Sequence, residues 1–255
     1  MILEYGNAWY NLGVALTIQH TQEEAVALYQ QQMERTSAYA WAWGILGNMF
    51  FDQEHFEQAA EFYQRQVEVI PNHETTWMSL GIVLAHQGKY PEAIEALRKQ
   101  VGVKKDHEAA WHVLGQLLEA NNTIPGAAEA YQKQIEVLPE HGQAWFDLAD
   151  VLTHHYPFEA ALSRYQQLID HTAAHAWAWD FWGLAFEQQG HIEQALEAYH
   201  QQVSIEPKHP DAWAHLGDAY ISLGMLKEAI DAYQLMRQPG KIWRWRLKKR
   251  EIWIG

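Results

Sequence analysis

Histidines are the residues of this sequence whose spacing most directly suggests chemistry. Five of them recur at intervals of 34 residues, namely His73, His107, His141, His175 and His209. Imidazole binds divalent metals and titrates near neutral pH, but a metal site needs three or four ligands within about 2 Å of the ion. Stacked 34-residue helical repeats would hold these rings on the order of 10 Å apart, so we predict that they cap helices instead.

Groups that could perform catalysis are sparse. No HExxH, GxSxG, GxxxxGK[ST] or GxGxxG motif occurs, and Cys is absent. His171 and His175 are four residues apart but straddle a predicted helix end, which leaves them without further ligands. The sequence therefore predicts that the chain is not an enzyme and holds neither a metal nor a cofactor.

The elements that must position these side chains belong to an internal repeat. Numbering each 34-residue repeat from position 1 at Gly6 places a tryptophan at every position 4: Trp9, Trp43, Trp77, Trp111, Trp145, Trp179 and Trp213. Position 7 is Leu except at Trp182, position 8 is Gly except at Ala149, position 20 is always Ala, and position 24 is Tyr except at Leu97. Trp111, Leu114 and Leu118 follow the i, i+3, i+7 spacing of one helical stripe. Each repeat is therefore predicted to form two helices separated by a turn.

This pattern resembles the tetratricopeptide repeat family, whose 34 residues carry W-x2-L-G-x2-Y, then A-x3-F, then P. The resemblance covers residues 6–243, as seven repeats at 6–39, 40–73, 74–107, 108–141, 142–175, 176–209 and 210–243, with a lead at 1–5 and a tail at 244–255. It implies an all-α solenoid, a right-handed superhelix of seven antiparallel helix pairs. The first helix of each pair is then expected to line a concave groove.

Repeat positions 2, 5, 9 and 12 usually face the groove in this family. The candidate groove residues read off these positions are Tyr10, Val14, Trp41, Asn48, Phe51, Met78, Ile82, His112, Glu119, Phe146, Asp150, Trp177, Asp180, Glu187, Asp211 and Asp218. No groove position of the first three repeats is charged, whereas six in the last four repeats are acidic and none is Lys or Arg. The pattern predicts a partner peptide with apolar anchors and a Lys- or Arg-containing segment.

Two further sets of residues are assigned from the same register. Trp179, Trp182 and Phe186 occupy positions 4, 7 and 11 and are predicted to be core, whereas Trp177 is predicted to stand in the groove. Five repeats carry Gln at position 27: Gln32, Gln66, Gln100, Gln134 and Gln202. These amides either are partly exposed and bond a neighbouring turn, or form a row along a functional surface.

Charge separates the body of the chain from its tail. Residues 1–236 carry 11 basic and 31 acidic side chains, whereas residues 237–255 carry 7 basic and 1 acidic. An acidic body repels nucleic acid and anionic membranes. The tail, in which Trp243 and Trp245 alternate with Arg244 and Arg246, has three alternative roles. It forms a distorted cap, inserts into an acidic groove, or contacts a membrane or nucleic acid.

These observations favour a non-catalytic protein-interaction scaffold that binds a partner protein or peptide. One alternative is a regulatory or docking module of a larger protein or complex that contacts an effector through its ends. A membrane or nucleic-acid adaptor, acting through the tail, is the other. The lead at 1–5 supplies no cap, so we expect a longer protein, a partner or a second copy in an oligomer to cover that end. Without a signal peptide or an apolar span, the expected location is cytoplasmic.

Overall fold

The computed structural model describes residues 2–35, 39–172 and 176–237, and within these ranges it contains α-helices and no strands. The all-α prediction is thereby confirmed. The helices are α1 (Ile2–Gln19), α2 (Gln22–Arg35), α3 (Tyr39–Asp52), α4 (Phe56–Val69), α5 (Thr76–His86), α6 (Tyr90–Val103), α7 (Glu108–Ala120), α8 (Ile124–Val137), α9 (Gly142–His155), α10 (Phe158–His171), α11 (Ala176–Gln188), α12 (Ile192–Ile205), α13 (Pro210–Ser222) and α14 (Leu226–Arg237). Among these described helices, none has the length and apolar character needed to cross a membrane.

The chain divides into two compact units, of which the first ends at Thr123 and the second begins at Ile124. In the first unit, α1 packs on α2 and α3, and the helices from α3 to α7 each pack on the next one. In the second unit, α9 contacts α8, α10 and α11, and the helices from α11 to α14 pack in sequence. Because α1 begins at Ile2, residues 2–5 extend the first helix. The tail at 244–255 and His175 lie outside the described residues.

Several tryptophans at position 4 tie the start of the first helix of their repeat to the preceding turn. The Trp77 indole N–H donates to the Pro71 carbonyl at 2.7 Å, and Trp145 and Trp213 make the same bond to Pro139 and Pro207 at 2.8 Å. The rings of Trp145 and Trp213 are fully buried, so this bond satisfies a donor that has left water. The repeated tryptophan thus links helix packing to turn geometry.

Glycine at position 8 makes room for the tyrosine at position 24 of the same repeat. A Cβ atom on Gly47 would lie 2.5 Å from the Tyr63 ring, and one on Gly183 would lie 2.3 Å from the Tyr199 ring. The fifth repeat has Ala149 instead. There the Tyr165 hydroxyl donates to two backbone carbonyls, at 3.3 Å on Trp145 and 3.1 Å on Ala178. Replacement of Gly by Ala at position 8 is therefore accompanied by backbone carbonyls as the hydrogen-bond acceptors of the tyrosine hydroxyl.

Glutamine at position 27 is a structural residue. Gln66, Gln100, Gln134 and Gln202 are buried, so the expected partial exposure is wrong for these four. The Gln100 side-chain oxygen accepts from the Met78 backbone N–H at 3.2 Å, and its side-chain N–H group donates to the Glu74 carbonyl. A backbone N–H in the first turn of a helix has no partner within that helix. Gln100 therefore supplies the partner that the start of α5 lacks.

The predicted capping by histidine is confirmed at His107. Its Nδ1 atom accepts from the Ala110 backbone N–H at 3.2 Å, at the start of α7. At the equivalent place before α5, His73 Nδ1 lies 2.8 Å from the Thr76 hydroxyl oxygen. Both rings serve the beginning of a first helix, as expected of position 34. His141 and His209 precede α9 and α13 without a side-chain capping bond, so the capping prediction is wrong for these two.

Candidate functional site

In the first unit, aromatic side chains form the main part of the predicted surface. Trp41 is half-buried against the hydrophobic core, and its ring meets the edge of Trp9 at a centroid distance of 6.3 Å. Tyr10 is 38% exposed, and its hydroxyl donates to the Asp52 carboxylate at 3.3 Å. Trp41 therefore contributes to packing as well as to the surface, whereas Tyr10 stands mainly on the surface.

A second group of rings surrounds Phe51, which is half-buried. Its centroid lies 5.7 Å from His86 and 5.8 Å from Phe56, and the rings of Phe56 and His86 stack at 4.6 Å. His86 lies one residue beyond a predicted surface position and was missed by the sequence analysis. The signal was available, because His86 at position 13 follows Ala85 at position 12.

The remaining predicted residues of the first unit differ in exposure. Val14, Met78 and Ile82 are half-buried, as are His112 and Glu119 on α7. Asn48 is exposed, and its side-chain oxygen accepts from the Tyr63 hydroxyl at 2.6 Å. Val14, Met78 and Ile82 therefore expose only part of each side chain to solvent. The hydrogen bond from Tyr63 fixes the orientation of the Asn48 side chain.

The second unit brings the predicted acid Asp180 next to a histidine that the sequence analysis did not select. His215 Nδ1 on α13 lies 2.6 Å from Asp180 Oδ1 on α11. The side chains are 28% and 16% exposed respectively. The hydrogen bond to Asp180 is the largest cause that raises the pKa of His215, and the charges of Asp180, Asp211 and Glu187 act in the same direction against the opposing effect of burial.

Three predicted carboxylates lie around the buried Tyr199. Its hydroxyl donates to Glu187 at 2.8 Å. Burial, the bond to Glu187 and the charges of Glu187, Asp180 and Asp218 all raise the pKa of Tyr199. Asp218 also accepts a hydrogen bond from the Tyr233 hydroxyl, and this bond is the largest cause that raises the pKa of Tyr233 to about 12. Asp180, Glu187 and Asp218 of α11 and α13 thus form one negatively charged surface. The Tyr199 and Tyr233 hydroxyls donate hydrogen bonds to Glu187 and Asp218 of this surface.

Asp150 stands apart from these tyrosine contacts. It belongs to the repeat with Ala149, and its carboxylate lies 3.2 Å from Nδ1 of His154 on the same helix. Asp211 is exposed in the first turn of α13, where its negative charge interacts favourably with the helix dipole. The two predicted acids therefore have local partners or roles that differ from those of Asp180, Glu187 and Asp218.

Two aromatic side chains border the acidic surface. Trp177 and Phe146 are each 37% exposed, and the Phe146 ring contacts Phe181 at a centroid distance of 5.5 Å. Trp182 and Phe186 are buried, which confirms that part of the predicted core. Trp179 is only half-buried, so its assignment as a fully buried core residue is wrong. Trp179 lines a cleft together with side chains of the neighbouring helices α10 and α12.

Within the described residues, no group of three or more His, Asp or Glu side chains is arranged to hold a metal ion. None of the first helices, α1, α3, α5, α7, α9, α11 and α13, contains Lys or Arg. The surface is therefore able to attract cationic groups by charge and to contact apolar groups through rings, which is the chemistry of binding.

Comparisons with known proteins agree with this architecture. Two family models described as tetratricopeptide repeat match residues 46–102 and 187–239. With the helix pairs and the 34-residue register, these matches show that the chain is a tetratricopeptide-repeat protein.

Solved structures resemble the chain at low sequence identity. The chain is similar to YrrB, described as a TPR protein with an unusual peptide-binding site, with 21% identity and a TM-score of 0.50 over 72% of this chain and 94% of that chain. It is also similar to MamA, with 21% identity and a TM-score of 0.46 over 81% of this chain and 95% of that chain. No curated protein sequence matches significantly.

Proposed function

We propose that this chain is a non-catalytic protein-interaction scaffold and that its second unit binds a Lys- or Arg-containing segment of a partner protein. The observation that carries the proposal is the convergence of Asp180, Glu187 and Asp218 around the Tyr199 hydroxyl. Partly desolvated carboxylates attract a basic segment and accelerate its association. Trp177 lies three residues before Asp180 on α11. Its exposed ring offers a contact surface for the aliphatic stem of a bound Lys side chain or the guanidinium group of a bound Arg side chain.

The first unit offers a different chemistry for the same class of ligand. Trp41, Phe51 and Met78 each present a partial apolar face on a first helix. Such faces accept apolar anchors of a peptide, because a partly buried ring loses little conformational freedom on binding. The described peptide-binding site of YrrB supports a peptide ligand at the level of the shared fold.

Defined peptides test the basic part of the ligand. The probe is a fluorescein-labelled peptide with two leucines followed by four alternating Lys and Arg residues, and the reference peptide replaces every Lys and Arg with Gln. We expect the triple variant Asp180→Asn, Glu187→Gln and Asp218→Asn to bind the basic probe about tenfold more weakly in fluorescence anisotropy. The dependence of its binding on salt concentration should also decrease.

A matched control separates local recognition from net charge. Glu129, Glu206 and Asp231 are exposed outside the first helices of the second unit, and their amide variants change the net charge by the same amount. This control should keep the affinity for the basic probe within about twofold. Equal losses in both triple variants, or equal affinities for the basic and Gln-substituted peptides, would contradict the proposal.

A second candidate is docking of a partner on the last helix pair. Leu226 is 63% exposed and Ile230 is 56% exposed on one face of α14, and Met225 precedes them at 38%. Exposed apolar residues at i and i+4 favour a contact with another protein surface. Chemical crosslinking of a captured partner distinguishes the two candidates, since crosslinks to α14 favour docking and crosslinks to α11 and α13 favour peptide binding.

A further inference from the structure

The second unit contains a cleft that the predicted surface does not include. It lies between α10, α11 and α12 and has a volume of about 240 Å³. Trp179, Trp182 and Phe186 line it together with Glu197 and Gln201. The cleft therefore combines a row of aromatic rings with a carboxylate.

The aromatic wall of this cleft is rigid. The Trp182 ring stacks on Tyr165 at a centroid distance of 4.3 Å and an interplanar angle of 9°, and it meets Phe186 at 4.7 Å. Trp182 occupies position 7, where the other repeats have Leu. A ring at this position extends the π surface next to the half-buried Trp179, and such surfaces attract cations through their quadrupoles.

The first unit shows what an equivalent cleft holds. A cleft between α4, α5 and α6 is lined by residues of the same repeat positions, including Trp77 at position 4, Glu95 at position 22 and Lys99 at position 26. There the Lys99 ammonium lies 4.6 Å from the centroid of the Trp77 ring. In the preceding repeat, Arg65 at position 26 lies 4.9 Å from the Trp43 ring. In these two repeats of the first unit, a cation at position 26 lies over the tryptophan at position 4.

The cleft of the second unit keeps the other groups but lacks this cation. Position 4 is Trp179 and position 22 is Glu197, whereas position 26 is Gln201. No Lys or Arg is among the side chains that line it. The buried Gln194 side-chain oxygen, which belongs to a residue of the same cleft, has no hydrogen-bond partner. A ring, a carboxylate and a free acceptor therefore remain where the first unit places an ammonium group.

We infer that this cleft binds a Lys side chain of a partner protein, with its ammonium over Trp179 and near Glu197. The inserted group would take the place that Lys99 occupies in the first unit and would donate to the Gln194 oxygen. The inference is independent of the proposed function, because the residues that line the cleft do not include Asp180, Glu187 or Asp218.

Two short peptides test the inference on the full chain. Ac-Gly-Lys-Gly-NH2 carries one ammonium group, and Ac-Gly-norleucine-Gly-NH2 has a similar side chain without charge. The readout is the indole N–H resonance of Trp179 in ¹⁵N NMR, assigned with Trp179→Phe. We expect the lysine peptide to shift this resonance saturably and with an affinity on the order of tenfold higher than that of the norleucine peptide. Glu197→Gln should weaken the lysine peptide severalfold.

Two variants that exchange the residues at position 26, Lys99 in one cleft and Gln201 in the other, provide the matched controls. Gln201 and Lys99 are both exposed, so their substitution leaves the buried core unchanged. Gln201→Lys should supply an internal cation and abolish the response of Trp179, and Lys99→Gln should create a response to the lysine peptide at Trp77. Far-UV circular dichroism verifies that both variants are folded. Equal binding of the two peptides, or failure of both exchanges to move the response, overturns the inference.

Discussion

Substitution of Gly183 by Ala tests whether glycine at position 8 is required by the tyrosine at position 24. The new Cβ atom would lie 2.3, 2.7 and 2.8 Å from three atoms of the buried Tyr199 ring. Ordinary contact begins near 3.4 Å, so the ring must retreat by about 1 Å. Overpacking of this kind costs about 1–3 kcal/mol.

Helix propensity opposes this cost, because Ala is more favourable than Gly inside a helix by about 1 kcal/mol. The expected net effect of Gly183→Ala is therefore a loss of up to about 2 kcal/mol in the free energy of unfolding, which places it about 1–3 kcal/mol below a Gly→Ala variant without the clash. Gly102 provides the matched control, since it lies in α6 and no atom outside its own helix neighbourhood lies within 4 Å of an added Cβ. Gly102→Ala should be neutral or stabilising by up to about 1 kcal/mol.

Urea denaturation followed by circular dichroism measures both variants. Hydrogen exchange locates the change, because repeat arrays open locally and the loss should be confined to α11, α12 and their neighbours. The fifth repeat suggests how Gly183→Ala relaxes, since Tyr165 beside Ala149 bonds to backbone carbonyls. If both Gly variants shift stability equally, the steric reasoning is refuted.

Three other predictions concern single side chains. The pKa of His215 is raised above 6.5 in the folded chain, so its contribution to stability should be complete below pH 6.5 and lost as the pH rises through the raised pKa. A series of urea midpoints measured at different pH values should show this loss of stability. The pH dependence should be absent in His215→Gln. Trp177→Ala should lower the affinity for the basic peptide yet cost about 1 kcal/mol or less in the free energy of unfolding. Trp213 is fully buried, so Trp213→Ala should cost about 3–5 kcal/mol in urea denaturation. Equal losses of stability in the two variants would contradict this contrast. Gln100→Leu should destabilise α5 by about 2 kcal/mol, because the Met78 N–H and the Glu74 carbonyl lose their partner, and unchanged hydrogen exchange at Met78 would refute that role.

The sequence register predicted the helices because the information is local. Trp, Leu and Gly recur at fixed positions, and a helical stripe can be read from neighbouring residues without knowledge of the fold. The burial of Trp182 and Phe186 followed from the same stripe. The family matches and the described helices confirm this level of the prediction.

Side-chain partners could not be predicted in the same way. Asp180 and His215 are 35 residues apart, so their contact depends on how α11 and α13 pack. The half-exposed face of Trp179 depends on residues of α10 and α12, which line the cleft beside it. The burial of Gln100 was mispredicted because an amide that completes another helix's first turn is indistinguishable, in sequence, from an exposed one.

The tyrosine hydroxyls beneath the acidic surface have a consequence for the entropy of binding. Glu187 and Asp218 already accept bonds from Tyr199 and Tyr233, so their carboxylates have few rotamers left to lose when a ligand arrives. Preorganised acceptors of this kind favour recognition by orientation as well as by charge. The surface should therefore distinguish Lys from Arg by the direction of their donors, a selectivity that freely rotating acidic side chains could not provide.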